Sequence, residues 1–157
     1  VILMLGHGIV SGALFLLIGV MYERYHSRNL LYYGGLVQVM PITSFLFFIF
    51  SISNFSFPGT ANFIGEFLIL KGIVQVNIFL TVLLLCSSVI TISYSIFFFN
   101  RVFFGNLKIF FIEKFADIKR FELYYFFLLF FSNFVVGLYP NIFFLCIFNS
   151  LGVYLDF

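Results

Sequence analysis

Charged residues are scarce in this sequence. Asp, Glu, Lys and Arg make up 9% of its 157 residues, against about 25% in an ordinary soluble domain. Hydrophobic residues reach 63% and the mean hydropathy is +1.17, which excludes a water-soluble globular domain. The net charge is only +2, and no nucleic-acid partner is expected. The composition therefore predicts an all-α, polytopic membrane protein whose surface contacts lipid.

Cysteine and tryptophan are also rare or absent. The two cysteines, Cys86 and Cys146, lie far apart in apolar runs without the spacing of a metal site or redox pair, so both are predicted to be inert packing residues. No glycine-rich nucleotide-binding motif occurs, and no cleavable signal or transit segment is recognisable at the start. Trp is absent while Phe occurs 28 times, a bias that hints at an AT-rich organelle genome.

The sequence is instead dominated by long apolar runs. They cover residues 1–22, 36–57, 61–74, 78–99 and 124–138. A membrane-spanning helix needs about 20 predominantly apolar residues, so most of these runs are long enough to cross a bilayer.

The positions of the basic residues decide how the runs are counted. Two of the eight Lys and Arg residues lie within residues 23–29 and five within 101–120. Short loops rich in Lys and Arg stay on the inner side of the membrane, so these two linkers are predicted to share a face. An even number of membrane crossings must then separate the two linkers. Residues 78–99 supply one crossing, so residues 36–74 must supply a single second crossing.

A single crossing of that length requires an interruption. A straight helix over residues 36–74 would reach about 58 Å, against a hydrocarbon core of about 30 Å. The interruption is predicted at Pro58-Gly59. The result is one membrane domain over 1–157 with about four crossings: helices at about 1–22, 36–74 (broken), 76–100 and 122–139, then an interfacial tail over 140–157.

The interruption has a carboxylate beside it. Glu66 follows Pro58 by about two helical turns. Irregular backbone at membrane depth is tolerated where it is buried or lines a watered cavity, and transporters build ion sites at such breaks. The alternatives are a plain proline kink at Pro58 and a structural ion pair for Glu66. The pattern favours a proton site at Glu66.

Two further sets of polar residues lie inside the apolar runs. His7 stands near Gly8 and Gly12, whose spacing allows close helix approach, and Ser11 lies one turn further on. Histidine titrates near neutral pH, so His7 is either a proton relay or a satisfied core residue. A stripe of hydroxyl side chains falls within an arc of about 120° on one helix. Its members are Ser87, Ser88, Thr91, Tyr94 and Ser95. Such a stripe either packs against neighbouring helices or lines a hydrated path.

An ordered set of motifs closely resembles one protein family, the subunit 4 family of NADH:ubiquinone oxidoreductase (respiratory complex I). They are GHGIVS at 6–11, YERYHSR at 22–28, FPGTANFIGEFLIL at 57–70, YS at 94–95, NRVFFGNLK at 100–108 and YP at 139–140. The resemblance covers essentially the whole chain and corresponds to the C-terminal part of that antiporter-like subunit, in its mitochondrial form. It implies discontinuous helices and a row of ionisable groups along the membrane midplane.

The resemblance assigns roles to two residues. His7 matches the histidine of the intramembrane relay, and Glu66 matches the carboxylate on the second broken helix. It also implies that this chain pumps protons and holds no redox centre. The chain would belong to a mitochondrial inner-membrane complex whose other subunits use FMN, iron–sulfur clusters, NADH and ubiquinone. Lys71 departs from the pattern because an apolar residue is expected there.

The partners implied are the other membrane-arm subunits. The family's earlier glutamate and lysines are not in this sequence, which predicts a separate polypeptide carrying the preceding helices of the same subunit. An incomplete sequence is the alternative. Two other functions stay open: a subunit of a multi-subunit cation/proton antiporter, and a purely structural membrane scaffold.

Overall fold

The computed structural model describes residues 1–108, 116–141 and 143–145. The described residues include five α-helices and contain no strand, which confirms the all-α prediction. The helices are α1 (Ile2–Tyr25), α2 (Pro41–Asn54), α3 (Ala61–Val76), α4 (Ile78–Phe103) and α5 (Arg120–Leu138). By length and composition α1, α4 and α5 can each cross a membrane, and α2 is a shorter apolar helix.

The run predicted as one broken helix from residue 36 begins differently. Leu36–Gln38 forms a 3-10 turn and α2 starts at Pro41. Proline suits the first position of a helix because its fixed φ fits and its missing N–H has no partner there. The first half of the broken helix is therefore shorter than predicted.

One face of α1 supplies much of the core. Its buried residues recur every three or four positions, among them Gly6, Val10, Ala13 and Leu17, as expected for a helix with one face packed on neighbours. This face contacts α2, α3 and α5. The side chains of α4 are mostly exposed, so α4 presents an apolar surface to the membrane or to a neighbouring protein.

The two basic linkers lie at the same end of the bundle. Gly35 donates a backbone hydrogen bond to the Phe104 carbonyl over 3.1 Å, and Lys108 Nζ donates to the Leu31 carbonyl. Gly35 has a φ of 68°, and a Cβ there would lie 2.8 Å from the Leu107 nitrogen. The contact between the two linkers agrees with the even number of crossings that the charge pattern requires.

Arg24 is buried rather than part of the exposed basic linker. Its side chain donates to the carbonyls of Ala116 over 3.2 Å and Asp117 over 3.1 Å, and to a Glu122 carboxylate oxygen over 3.2 Å. Only 3% of Arg24 is exposed, and a buried charge needs such partners. Through these hydrogen bonds Arg24 attaches the segment before α5 and the first turn of α5 to the end of α1. Residues 109–115 lie outside the described residues, as does most of the predicted 140–157 tail.

Candidate functional site

The broken helix is interrupted between α2 and α3, around the predicted Pro58-Gly59. Ser56 and Gly59 have φ values of 60° and 96°, which lie in the left-handed region and end the helical path. Backbone turns join the halves: Phe57 donates to the Ile52 carbonyl over 3.4 Å, and Thr60 donates to the Phe57 carbonyl over 3.1 Å. Residues 55–60 are therefore an ordered loop between two half-helices.

Two buried amide side chains satisfy backbone groups freed by the interruption. Asn62 Nδ2 donates to the Ser53 carbonyl at the end of α2 over 3.1 Å. Asn133 Oδ1, on α5, accepts from the backbone N–H of Ala61 at the start of α3 over 3.4 Å. In hydrocarbon each unpaired backbone group costs several kcal/mol. These amides are thus a structural requirement of the break.

Sequence reasoning did not single out Asn62 and Asn133. A usable signal was present, because an amide inside an apolar run of a membrane protein needs a hydrogen-bonding partner. The identity of that partner could not be read from the sequence, since Asn133 lies 72 positions from Ala61.

Helices α1 and α5 pack closely against the interruption and the start of α3. A Cβ on Gly137 of α5 would lie 2.3 Å from the Gly59 carbonyl oxygen, and one on Gly6 of α1 would lie 2.7 Å from Asn62 Oδ1. Only glycine permits backbones to come so near. On α1, Gly6 makes this contact, whereas Gly8 and Gly12 have no described atom within 4 Å of an added Cβ.

Glu66 lines a cavity of about 280 Å³ between α3 and α4. Three hydroxyl residues of the predicted stripe line the same cavity: Ser87, Ser88 and Thr91. The rest of the wall is apolar and consists of Leu3, Phe55, Ile69, Leu70 and Leu84. The structure therefore brings together the carboxylate and three of the five residues of the hydroxyl stripe.

The hydroxyl groups in this cavity are free to accept hydrogen bonds. Each donates its proton to a carbonyl of α4: Ser87 to Leu84 over 2.7 Å, Ser88 to Leu85 over 2.8 Å and Thr91 to Ser87 over 3.0 Å. A hydroxyl that donates keeps lone pairs for other donors. The cavity has room for several waters at about 30 Å³ each, which these oxygens and Glu66 can hold.

The remaining predicted residues lie elsewhere. Tyr94 is exposed, and Ser95 lines a separate apolar groove of about 560 Å³ along α2 and α4. His7 is exposed on α1 and does not line the Glu66 cavity. Ser11, also on α1, donates to the Gly8 carbonyl over 3.4 Å. Lys71 is exposed on α3.

Within the described ranges, no group of three or more His, Cys, Asp and Glu side chains could hold a metal ion. Glu66 is the ionisable side chain that lines the cavity, and the arrangement offers acid–base chemistry there. A polytopic helical fold with a carboxylate cavity beside an interrupted helix is the architecture that ion-translocating membrane proteins use.

Comparison with known proteins gives the family. Residues 1–91 match the family model described as NADH:quinone oxidoreductase/Mrp antiporter, TM. The chain belongs to this family.

Its relatives include the NADH-ubiquinone oxidoreductase chain 4 proteins of Marchantia polymorpha and Arabidopsis thaliana. Each is 44% identical over 152 residues, covering 97% of this chain and 31% of the relative. NADH-quinone oxidoreductase subunit M of Rhodobacter capsulatus is 38% identical over 139 residues, covering 88% and 27%. The chain thus spans about a third of the length of these relatives.

A solved structure has the same arrangement of helices. A chain in the structure titled "Respiratory complex I from Thermus thermophilus with bound NADH" matches with a TM-score of 0.79 and 27% sequence identity. The match covers 89% of this chain and 29% of that chain.

Proposed function

We propose that this chain is part of a proton-translocating membrane subunit of an NADH:ubiquinone oxidoreductase. NADH oxidation and ubiquinone reduction would take place elsewhere in the complex, and this chain would use the coupled energy to move protons. The observation that carries the proposal is the cavity in which Glu66 faces the hydroxyls of Ser87, Ser88 and Thr91. The names of the relatives support the same function.

Glu66 would take up and release protons through waters in this cavity. A charge at this depth would respond to the charges of neighbouring groups, and this is how a distant redox reaction would drive it.

His7 would serve as a relay to a neighbouring site. It lies on a face of α1 that is open in the described part of the chain, so its proton partners would come from another helix. Histidine suits this role because its protonation changes near neutral pH.

The chain itself would bind no redox cofactor. FMN, iron–sulfur clusters, NADH and ubiquinone would belong to other subunits of the complex. We propose that the protein is an organelle-encoded subunit of the mitochondrial inner membrane, with the two basic linkers on the matrix side; the mitochondrial relatives support this location. Protease accessibility of the linkers from the matrix side would check this orientation.

Other membrane-arm subunits would be its partners. The relatives are about three times longer than the matched region, and α1 has an open glycine face. We propose that helices outside residues 1–157 pack against this face and supply the remaining ionisable residues, either from the same polypeptide or from a separate one. Mass spectrometry of the intact subunit in purified complex distinguishes the two.

The test of the proposed function is Glu66→Gln in the assembled complex. Glutamine keeps the shape of the side chain but cannot titrate, so we expect proton pumping to fall by about 10²-fold, the size of one lost proton-transfer group. Electron transfer from NADH to an artificial acceptor should be unchanged. Glu23→Gln is the matched control because Glu23 is exposed outside the cavity. Normal pumping in assembled Glu66→Gln complex would reject the proposal.

A cation/proton antiporter subunit is the second candidate, since the family description includes such antiporters. Copurification with flavin and iron–sulfur proteins supports the redox complex. Sodium-dependent proton exchange in vesicles without those proteins supports the antiporter.

A further inference from the structure

Asn133 joins the two halves of the broken helix. Its Nδ2 donates to Ser53 Oγ at the end of α2 over 2.9 Å, while its Oδ1 accepts from the Ala61 N–H at the start of α3 over 3.4 Å. All three residues are fully buried. One amide on α5 therefore contacts both sides of the interruption.

The direction of these hydrogen bonds is fixed by the surrounding donors. Ser53 Oγ gives its own proton to the Ile49 carbonyl over 2.9 Å, so it can only accept from Asn133. The Ala61 N–H can only donate. Position 133 thus needs one donor and one acceptor in the same side chain, which an amide supplies and an apolar residue or an ionised carboxylate does not.

Both contacts lead to the wall of the Glu66 cavity. Phe55, two residues beyond Ser53, lines that cavity, and so does Glu66, five residues beyond Ala61. Asn133 itself is not among the residues that line the cavity. It fixes the backbone segments that carry Phe55 and Glu66.

A second contact from α5 holds the connecting loop. Gly137 lies one turn beyond Asn133 and packs against the backbone of Gly59 and Thr60. Asn133 and Gly137 together leave α2, the loop and α3 little freedom to move apart, because tightly packed backbones tolerate few alternative arrangements.

We propose that Asn133 is a positioning residue for the Glu66 cavity, setting the separation of the half-helices that carry Phe55 and Glu66. The functional part of this proposal rests on the proposed function, because it assumes that Glu66 moves protons in this cavity. The geometric part, that Asn133 controls the opening of the cavity, is tested separately from pumping.

The geometric test uses a cysteine reporter. Ser88→Cys is introduced together with Cys86→Ser and Cys146→Ser, and labelling of this chain by a small membrane-permeant maleimide is followed by mass spectrometry in the intact complex. Asn133→Leu should change the labelling rate by about fivefold, the order of change expected for the loss of one net hydrogen bond. An unchanged rate overturns the proposal, whatever the role of Glu66.

Two further variants make the test specific. Ser132→Ala is the matched control and should leave the labelling rate unchanged. Ser132 lies beside Asn133, and its described hydrogen bond is to the Leu129 carbonyl of its own helix.

Ser53→Ala removes the acceptor of the Asn133 Nδ2 hydrogen bond and should reproduce the effect of Asn133→Leu. The change in labelling rate in the double variant should be no larger than that in the more strongly affected single variant, as for residues that act through one hydrogen bond. If the changes of the two single variants add up in the double variant, the proposal is overturned. Ser53→Ala also keeps the test open if Asn133→Leu fails to assemble.

The functional readout is the number of protons pumped per electron. A purely structural role would lower pumping and NADH oxidation in parallel through loss of complex. Asn133→Leu should instead lower the ratio by about fivefold in complex that still oxidises NADH, and a parallel loss of both activities overturns the positioning role. Normal pumping by Glu66→Gln alongside altered labelling in Asn133→Leu would reject the proposed function but leave the geometry intact.

Discussion

At the scale of single residues, three polar side chains near the break each have a distinct structural setting. Asn62 and Asn133 replace backbone hydrogen bonds that the interruption removes, and Glu66 faces hydroxyls across a cavity. Buried polar groups in hydrocarbon are costly without such partners. Their positions therefore identify the break as the place where this apolar protein accommodates polar groups.

Gly137 gives a residue-scale prediction. Alanine there would place a methyl group 2.3 Å from the Gly59 carbonyl oxygen, so one backbone must move away. We expect Gly137→Ala to destabilise the protein by about 1–3 kcal/mol, the usual cost of overpacking. Thermal inactivation of proton pumping in purified complex measures this.

Gly72→Ala provides the control for that prediction. Gly72 also lies in a helix, but an added Cβ there meets no described atom within 4 Å. Alanine is the better helix former, so this variant should be neutral or slightly stabilising. Equal inactivation temperatures for the two variants would contradict the close contact at Gly137.

At the scale of elements, the region of α5 holds α2 at both ends. Asp117, just before α5, accepts hydrogen bonds from the Ile42 N–H over 2.8 Å and from the Thr43 N–H and hydroxyl over 3.2 and 2.6 Å. Asn133 binds the other end through Ser53. A carboxylate at a helix N-terminus is favourable both as a cap and toward the helix dipole, so α2 is held at both of its ends.

Asp117→Ala tests the first of these attachments. The change leaves the N–H groups of Ile42 and Thr43 without this acceptor and should cost about 1–2 kcal/mol, as the loss of a helix cap does. Backbone hydrogen exchange in the first turn of α2 should accelerate. Glu23→Ala serves for comparison because Glu23 is exposed and makes only a 3.5 Å ion pair with Arg24, and equal exchange in both variants would argue against the cap.

The sequence predicted the elements better than the connections between them. Run lengths, charge positions and Pro58-Gly59 were sufficient for the helices and the interruption, because each is a local property of the chain. Glu66 and the hydroxyls of α4 were also found, although their meeting in one cavity depends on how α3 packs on α4. Asn133, Asp117 and the burial of Arg24 were not predicted, since their partners lie 72 or more positions away.

At the scale of the whole molecule, the helices divide into a packed side and an open side. The face of α1 that includes Gly6 packs on α3 and α5, whereas Gly8 and Gly12 face outward with no described neighbour. A Gly-x-x-x-Gly pair lets another helix approach closely in a membrane. We expect a helix of the complex outside the described residues to pack on this face, next to His7.

A graded series at Gly12 tests this last expectation. Gly12 is exposed and an added Cβ there meets no atom of the described chain within 4 Å, so neither Gly12→Ala nor Gly12→Leu should disturb its fold. Alanine is small enough to keep most of a close helix contact, while leucine would separate the two backbones, which such interfaces do not tolerate. The amount of assembled complex on native gels should therefore stay near normal for Gly12→Ala and drop about tenfold for Gly12→Leu, the result of losing about 1.4 kcal/mol of helix association. Equal assembly of both variants would mean that this face of α1 contacts lipid, and His7 would then have no protein partner through which to relay a proton.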